Sequence, residues 1–90
     1  MIPKRAVMPS SSTNRLSPAY GRLRERLRAA RIEAGLTQAQ VGHLIGKPQS
    51  FISKIEVGER RVDFIEMHVF AHVYGKSLSY FEDNPVNVRP

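Results

Sequence analysis

The sequence predicts an all-α protein of five helices, and three observations carry that expectation. Apolar residues recur at spacings of three and four in successive segments, glycine closes each of the first four, and no stretch offers a credible strand pairing. The densest stretch is residues 36–60, where Thr37 to Ile45 and Gln49 to Glu56 form two short helical patterns separated only by Gly46-Lys47-Pro48. Helices joined so closely must cross at a steep angle.

Taken in order, residues 1–16 contain Pro3, Pro9 and the run Ser10-Ser11-Ser12-Thr13 without a sustained apolar period, which predicts a flexible basic arm. A helical domain is expected over residues 17–83. Ser17-Pro18 reads as an N-cap followed by proline at the first helical position, where a missing N–H is harmless. Leu23, Leu27, Ala30 and Ala34 make the core stripe of the first helix, and arginines take its other sides. Gly35 ends it in the left-handed conformation, with Leu36 folding back.

The second helix opens with a capping box, Thr37 and Gln40, whose side chains satisfy each other's backbone N–H groups. Val41 and Ile45 point inward, and Gly42 admits a neighbouring backbone. The third helix begins near Pro48 and buries Ile52 and Ile55, leaving Gln49, Ser50, Ser53 and Lys54 on its other face. Asp63 and Glu66 form a second capping box, with Val62 and Met67 placed for a hydrophobic staple. Met67, Phe70, Ala71 and Tyr74 then supply a core stripe that ends at Gly75. Ser77 is placed to cap a last short helix reaching about Asp83, with Leu78 and Phe81 closing the core. Residues 84–90, with Pro85 and Pro90, are expected to be a tail.

Composition narrows the function. Ninety residues allow one small domain, burying about 60–65% of its unfolded surface. The chain has no Cys, so neither a disulfide framework nor a thiolate metal site is possible. No apolar run approaches the roughly 18 residues of a membrane span, and the N-terminus lacks the apolar stretch of a signal peptide, so a soluble cytoplasmic protein is expected. The net charge of +6 is unevenly placed. Residues 1–35 hold eight Lys or Arg against two Glu, whereas residues 63–90 hold two against four acidic residues. That polarity suits nucleic acid, although a solvated basic helix would produce it too.

Gly35-Leu36-Thr37-Gln38, Val41-Gly42, Ile45-Gly46, the run Gln49 to Glu56 and Gly58-Glu59-Arg60 together resemble the XRE family, the helix-turn-helix domains of lambda and Cro-type phage repressors. The resemblance covers roughly residues 17–82. It implies a compact five-helix, lambda-repressor-like DNA-binding domain, with the helix-turn-helix at helices 2 and 3, that reads a pseudo-palindromic operator as a homodimer. Carried onto this chain, it implies base reading by Gln49, Ser50, Ser53 and Lys54. Gln49 suits adenine, because an amide donates and accepts at once. Gln38, Lys47, Phe51, Arg60 and Arg61 fall where the DNA backbone would be met, Phe51 being equally suited to burial against the second helix. Arg31 and Glu56 match a family pair that ties the first helix to the third.

The chain also departs from the family. Pro48 stands where a capping Ser or Thr is usual, which predicts a looser or one-residue-shifted start of the reading helix. Arg22, Arg24, Arg26 and Arg28 make the first helix unusually basic, and RNA could use them. His68 and His72 lie four apart but lack a third ligand at metal spacing, so neither a metal nor a cofactor is expected. With Ile65, Val69 and Val73 they form a second face on the fourth helix that predicts a dimer contact. No catalytic set stands out, so an enzyme is not expected. The reading is a bacterial or phage transcriptional regulator, most simply a repressor binding double-stranded DNA. Its alternatives are an antitoxin-type protein-interaction module and an RNA-binding protein.

Overall fold

A computed structural model describes residues 17–82. Four α-helices follow in order: α1, Pro18–Glu33; α2, Gln38–Ile45; α3, Gln49–Glu56; and α4, Phe64–Tyr74. A single 3-10 turn, Leu78–Phe81, closes the described chain. The expected basic arm, Asp83 and the expected tail at 84–90 lie outside the described residues.

Local chemistry sets the helix boundaries. The Ser17 hydroxyl accepts from the Tyr20 N–H at 3.2 Å, with Pro18 at the first helical position. Thr37–Gln40 and Asp63–Glu66 both close as reciprocal capping boxes. At the end of α1, Gly35 has φ 76° and donates to the Ile32 carbonyl, while the Leu36 N–H donates to Arg31, so the last orphan carbonyls find donors.

Leu27 and Ala30 from α1, Val41 from α2, Ile52 and Ile55 from α3, Phe70, Ala71 and Tyr74 from α4, and Phe81 form one buried core. Leu23, Leu36, Ile45, Phe51, Val62, Met67 and Leu78 pack around it. Each large side chain buried this way contributes about 1.5–3 kcal/mol. Gly42 is where α2 and its turn come closest: a Cβ there would sit 2.5 Å from the Lys47 carbonyl oxygen and 3.3 Å from the Gln49 nitrogen.

Three expectations are corrected. Among the described residues there are four α-helices rather than five, because the last segment makes only one 3-10 turn. Ser77 does not cap it; its hydroxyl lies 2.8 Å from that of Ser79 instead. One turn suffices, since residues three apart eclipse in a 3-10 helix and bring Leu78 and Phe81 to the same side. Ala34 is not part of the α1 stripe. It is the exposed C-cap, and the inward position before it belongs to Arg31, which is only 9% exposed.

Candidate nucleic-acid interface

With Ile52 and Ile55 each 1% exposed, α3 is held by one face, and its opposite face is set by helical spacing. Gln49, Ser50 and Lys54 lie exposed there and Ser53 is half-buried. Pro48 is the N-cap and makes no side-chain cap, yet α3 starts directly after it at Gln49. The missing hydroxyl therefore does not shift the helix.

Behind this face runs a chain of hydrogen bonds. Arg31 Nε donates to Glu56 Oε2 at 2.7 Å and Arg31 Nη2 to Glu56 Oε1 at 2.9 Å, a two-pronged pair. Arg31 Nη1 donates to the Leu36 carbonyl at 3.0 Å. Glu56 Oε1 also accepts from Gln38 Nε2 at 3.0 Å, and Gln38 Oε1 accepts from Gln49 Nε2 at 2.7 Å. Four side chains thus link a buried guanidinium to an exposed amide. The hydrogen bond from Arg31 to Glu56 raises the Arg31 pKa against the opposing effect of burial, so Arg31 stays charged. Tyr74 lies in the same field; its hydroxyl pKa is pushed up, first by burial and then by Glu56.

Two short helices in sequence, the second displaying a polar face, make a helix-turn-helix. A family model described as Helix-turn-helix, the XRE type, matches residues 27–81. The chain belongs to that family. Comparison with curated proteins returns no match. Members of this family are DNA-binding regulators, and the domain is one of that kind.

Other expected contacts of the helix-turn-helix domain have other neighbours. Phe51 is half-buried, and its ring lies 5.2 Å from Lys47 Nζ and 4.4 Å from the Arg60 guanidinium carbon. Arg60 also forks onto Glu66, at 3.0 and 3.1 Å. Burial alone would raise the Glu66 pKa, but hydrogen bonds from Arg60 and the Asp63 backbone, with the charges of Arg60 and Lys47, bring it below the usual value. Arg61 lies 5.8 Å over the Tyr20 ring, and the Tyr20 hydroxyl accepts from the Val62 N–H at 2.7 Å. Neither the Arg60–Glu66 fork nor the Tyr20–Val62 tie is legible in the sequence. Glu66 read only as a capping partner, and nothing in spacing links residue 20 to residue 62.

The arginines of α1 do not share one patch. Positions two apart on a helix face opposite ways, so Arg22 and Arg26 are on one side and Arg24 and Arg28 on the other. Arg26 donates to the Glu82 carbonyl, and the Arg24 guanidinium lies against Gly58, with its Nε buried and unpartnered.

On α4, Ile65 is 68% and Val69 41% exposed, joined by Phe64 at 67%, whereas Val73 packs against the core. His68 and His72 are exposed, and the His68 ring meets the edge of Phe64 at 4.6 Å. No group of three metal-ligating side chains occurs among the described residues, and no described helix is long and apolar enough to cross a membrane.

Proposed function

We propose that this domain is a sequence-specific transcriptional regulator, acting as a repressor, that binds a pseudo-palindromic operator in double-stranded DNA as a homodimer. The hydrogen-bond chain from Arg31 through Glu56 and Gln38 to Gln49 is the observation that supports it. It holds an exposed amide in one orientation, and preorganisation of that kind favours discrimination between bases. Gln49 keeps its carbonyl and its second N–H for an adenine edge. Ser50, Ser53 and Lys54 read neighbouring positions. Gln38, Lys47, Phe51 and Arg61 meet the sugar-phosphate backbone, where Lys and Arg give binding its salt dependence.

Exposed apolar surface on α4, from Phe64, Ile65 and Val69 with His68 and His72 alongside, supports pairing of two copies through this helix. An antitoxin-type partner would use the same surface and compete with that pairing. RNA binding through α1 is less well supported, since its arginines point two ways, Arg26 is hydrogen-bonded to the Glu82 carbonyl and the Arg24 guanidinium is packed against Gly58.

Selection of duplexes from random DNA with the whole chain is the test. Enrichment of paired half-sites, reduced at least tenfold in affinity by Gln49→Ala, supports the reading; no enrichment, or preference for RNA abolished by Arg28→Ala, overturns it. Light scattering of Val69→Glu checks the dimer, which is refuted if the parent is monomeric at high concentration.

A further inference from the structure

Arg60 is grouped by sequence with the phosphate contacts, yet its guanidinium is engaged on three sides. It lies 4.4 Å from the Phe51 ring centre, forks onto both oxygens of Glu66, and gives a further Nη1 hydrogen bond to the Arg61 carbonyl at 2.6 Å. We propose that Arg60 is a positioning residue: it clamps Phe51 of α3 to Glu66 of α4 and so fixes the seat of α3, on which discrimination between DNA sequences depends. The inference rests on the reading of α3 as the base-reading helix.

Three features carry it. First, α3 has only eight residues and no side-chain cap at Pro48, so its first turn lacks the usual anchor. Phe51 lies in that turn, its N–H donating to the Pro48 carbonyl at 3.0 Å, and fixing its ring replaces the missing anchor. Second, Ile52 and Ile55 hold α3 along one line, about which a short helix can roll; Phe51, beside that line, blocks the roll. Third, the Glu66 carboxylate neutralises Arg60, and a neutral pair attracts phosphate poorly. Lys47, exposed and beside the same ring, is the better phosphate cation at this corner.

Arg60→Lys is the informative variant, because lysine keeps the charge and loses the planar fork. Glu66→Gln keeps the capping acceptor and loses the charge. Both are compared with the parent chain on a duplex recovered by selection and on a random-sequence duplex of equal length, across a salt series. The expected result is a roughly tenfold loss of selectivity in each variant, an unchanged salt slope in Arg60→Lys, and a double variant no worse in selectivity than either single one. A merely structural loss would lower the active fraction equally on both duplexes and leave their ratio alone. Arg60→Lys with parental selectivity, or Arg60→Gln with a salt slope shallower by about 0.9 and selectivity intact, overturns the proposal. A parent that selects no duplex refutes the reading of α3 itself. The clamp then stands or falls on the ring-current shift of the Arg60 methylene protons in free protein, expected in the parent and lost in Glu66→Gln.

Discussion

Gln49 and Gln38 are joined by a 2.7 Å hydrogen bond whose direction is set elsewhere. The ionised Glu56 carboxylate can only accept, so Gln38 must turn its Nε2 toward it, at 3.0 Å. That leaves Gln38 Oε1 facing Gln49, which must answer with its own Nε2. A buried carboxylate thereby decides which groups an exposed amide has left to offer.

Removing the middle link should separate reading from folding. Gln38→Ala is expected to weaken binding to a selected duplex about tenfold, near the 1.4 kcal/mol equivalent of one good hydrogen bond. Alanine suits the first turn of α2, so the melting temperature should fall far less than in Glu56→Ala. Fluorescence anisotropy and thermal melts on the same preparation check both halves.

Glu56→Ala leaves Arg31 charged and largely buried without its carboxylate partner, keeping only the Leu36 carbonyl. Side-chain exposures of 10% for Arg31 and 4% for Glu56 make this an interior pair, for which loss of one partner costs about 3–5 kcal/mol. In a domain of this size that lowers the melting temperature by more than about 10 °C. A variant that melts like the parent would contradict the role of the pair in the fold.

Gly42→Ala and Gly21→Ala should have opposite signs. Both place alanine in a helix, worth up to about 1 kcal/mol over glycine. At Gly42 the added methyl meets the Lys47 carbonyl oxygen at 2.5 Å, and moving that turn costs about 1–3 kcal/mol or more. At Gly21 the nearest neighbour is an Arg24 terminal nitrogen at 3.8 Å, so the helix gain survives. Urea denaturation should show Gly42→Ala less stable and Gly21→Ala equal to or more stable than the parent.

Acid should weaken the fold partly through Glu66. Its folded-state pKa lies below the ordinary 4.5, so the unfolded chain takes up the proton first as pH falls. The stabilisation is complete above pH 4.5 and disappears as pH drops through the lowered folded value. Glu66→Gln should be less stable than the parent at neutral pH, with the difference shrinking as pH falls below 4.5. A constant difference between pH 7 and pH 3 would remove Glu66 from the acid response.

Most of the fold was legible because local signals agreed: the Thr37 and Asp63 capping boxes, the glycines after each helix, and stripes such as Phe70, Ala71 and Tyr74 at helical spacing. Ala34 was misread because spacing does not record where a helix stops, and Arg31, a charged residue, took the buried place. The last helix was over-read because Ser77 and an apolar pair fit a 3-10 turn equally well. The polar face of α3 was visible from Ile52 and Ile55. Its supports were only partly so: Arg31 with Glu56 came from the family resemblance, whereas the Arg60–Glu66 fork and the Tyr20–Val62 tie depend on tertiary geometry that carries no periodic signature.

The tight seating of α2 on α3 at Gly42 also bears on the order in which the chain folds. These helices are neighbours in sequence and form the most extensive helix pairing, so their contacts require only short loops to close. The ties from α1 span more chain: Arg31 to Glu56 bridges 25 residues, Tyr20 to Val62 bridges 42, and Lys76 to Glu33 bridges 43. In stopped-flow refolding, Ile52→Val should slow folding, whereas Phe81→Leu should chiefly hasten unfolding. The pair of helices at the centre of the family signature would then be the nucleus of the domain, and the α1–α4 end would set its lifetime.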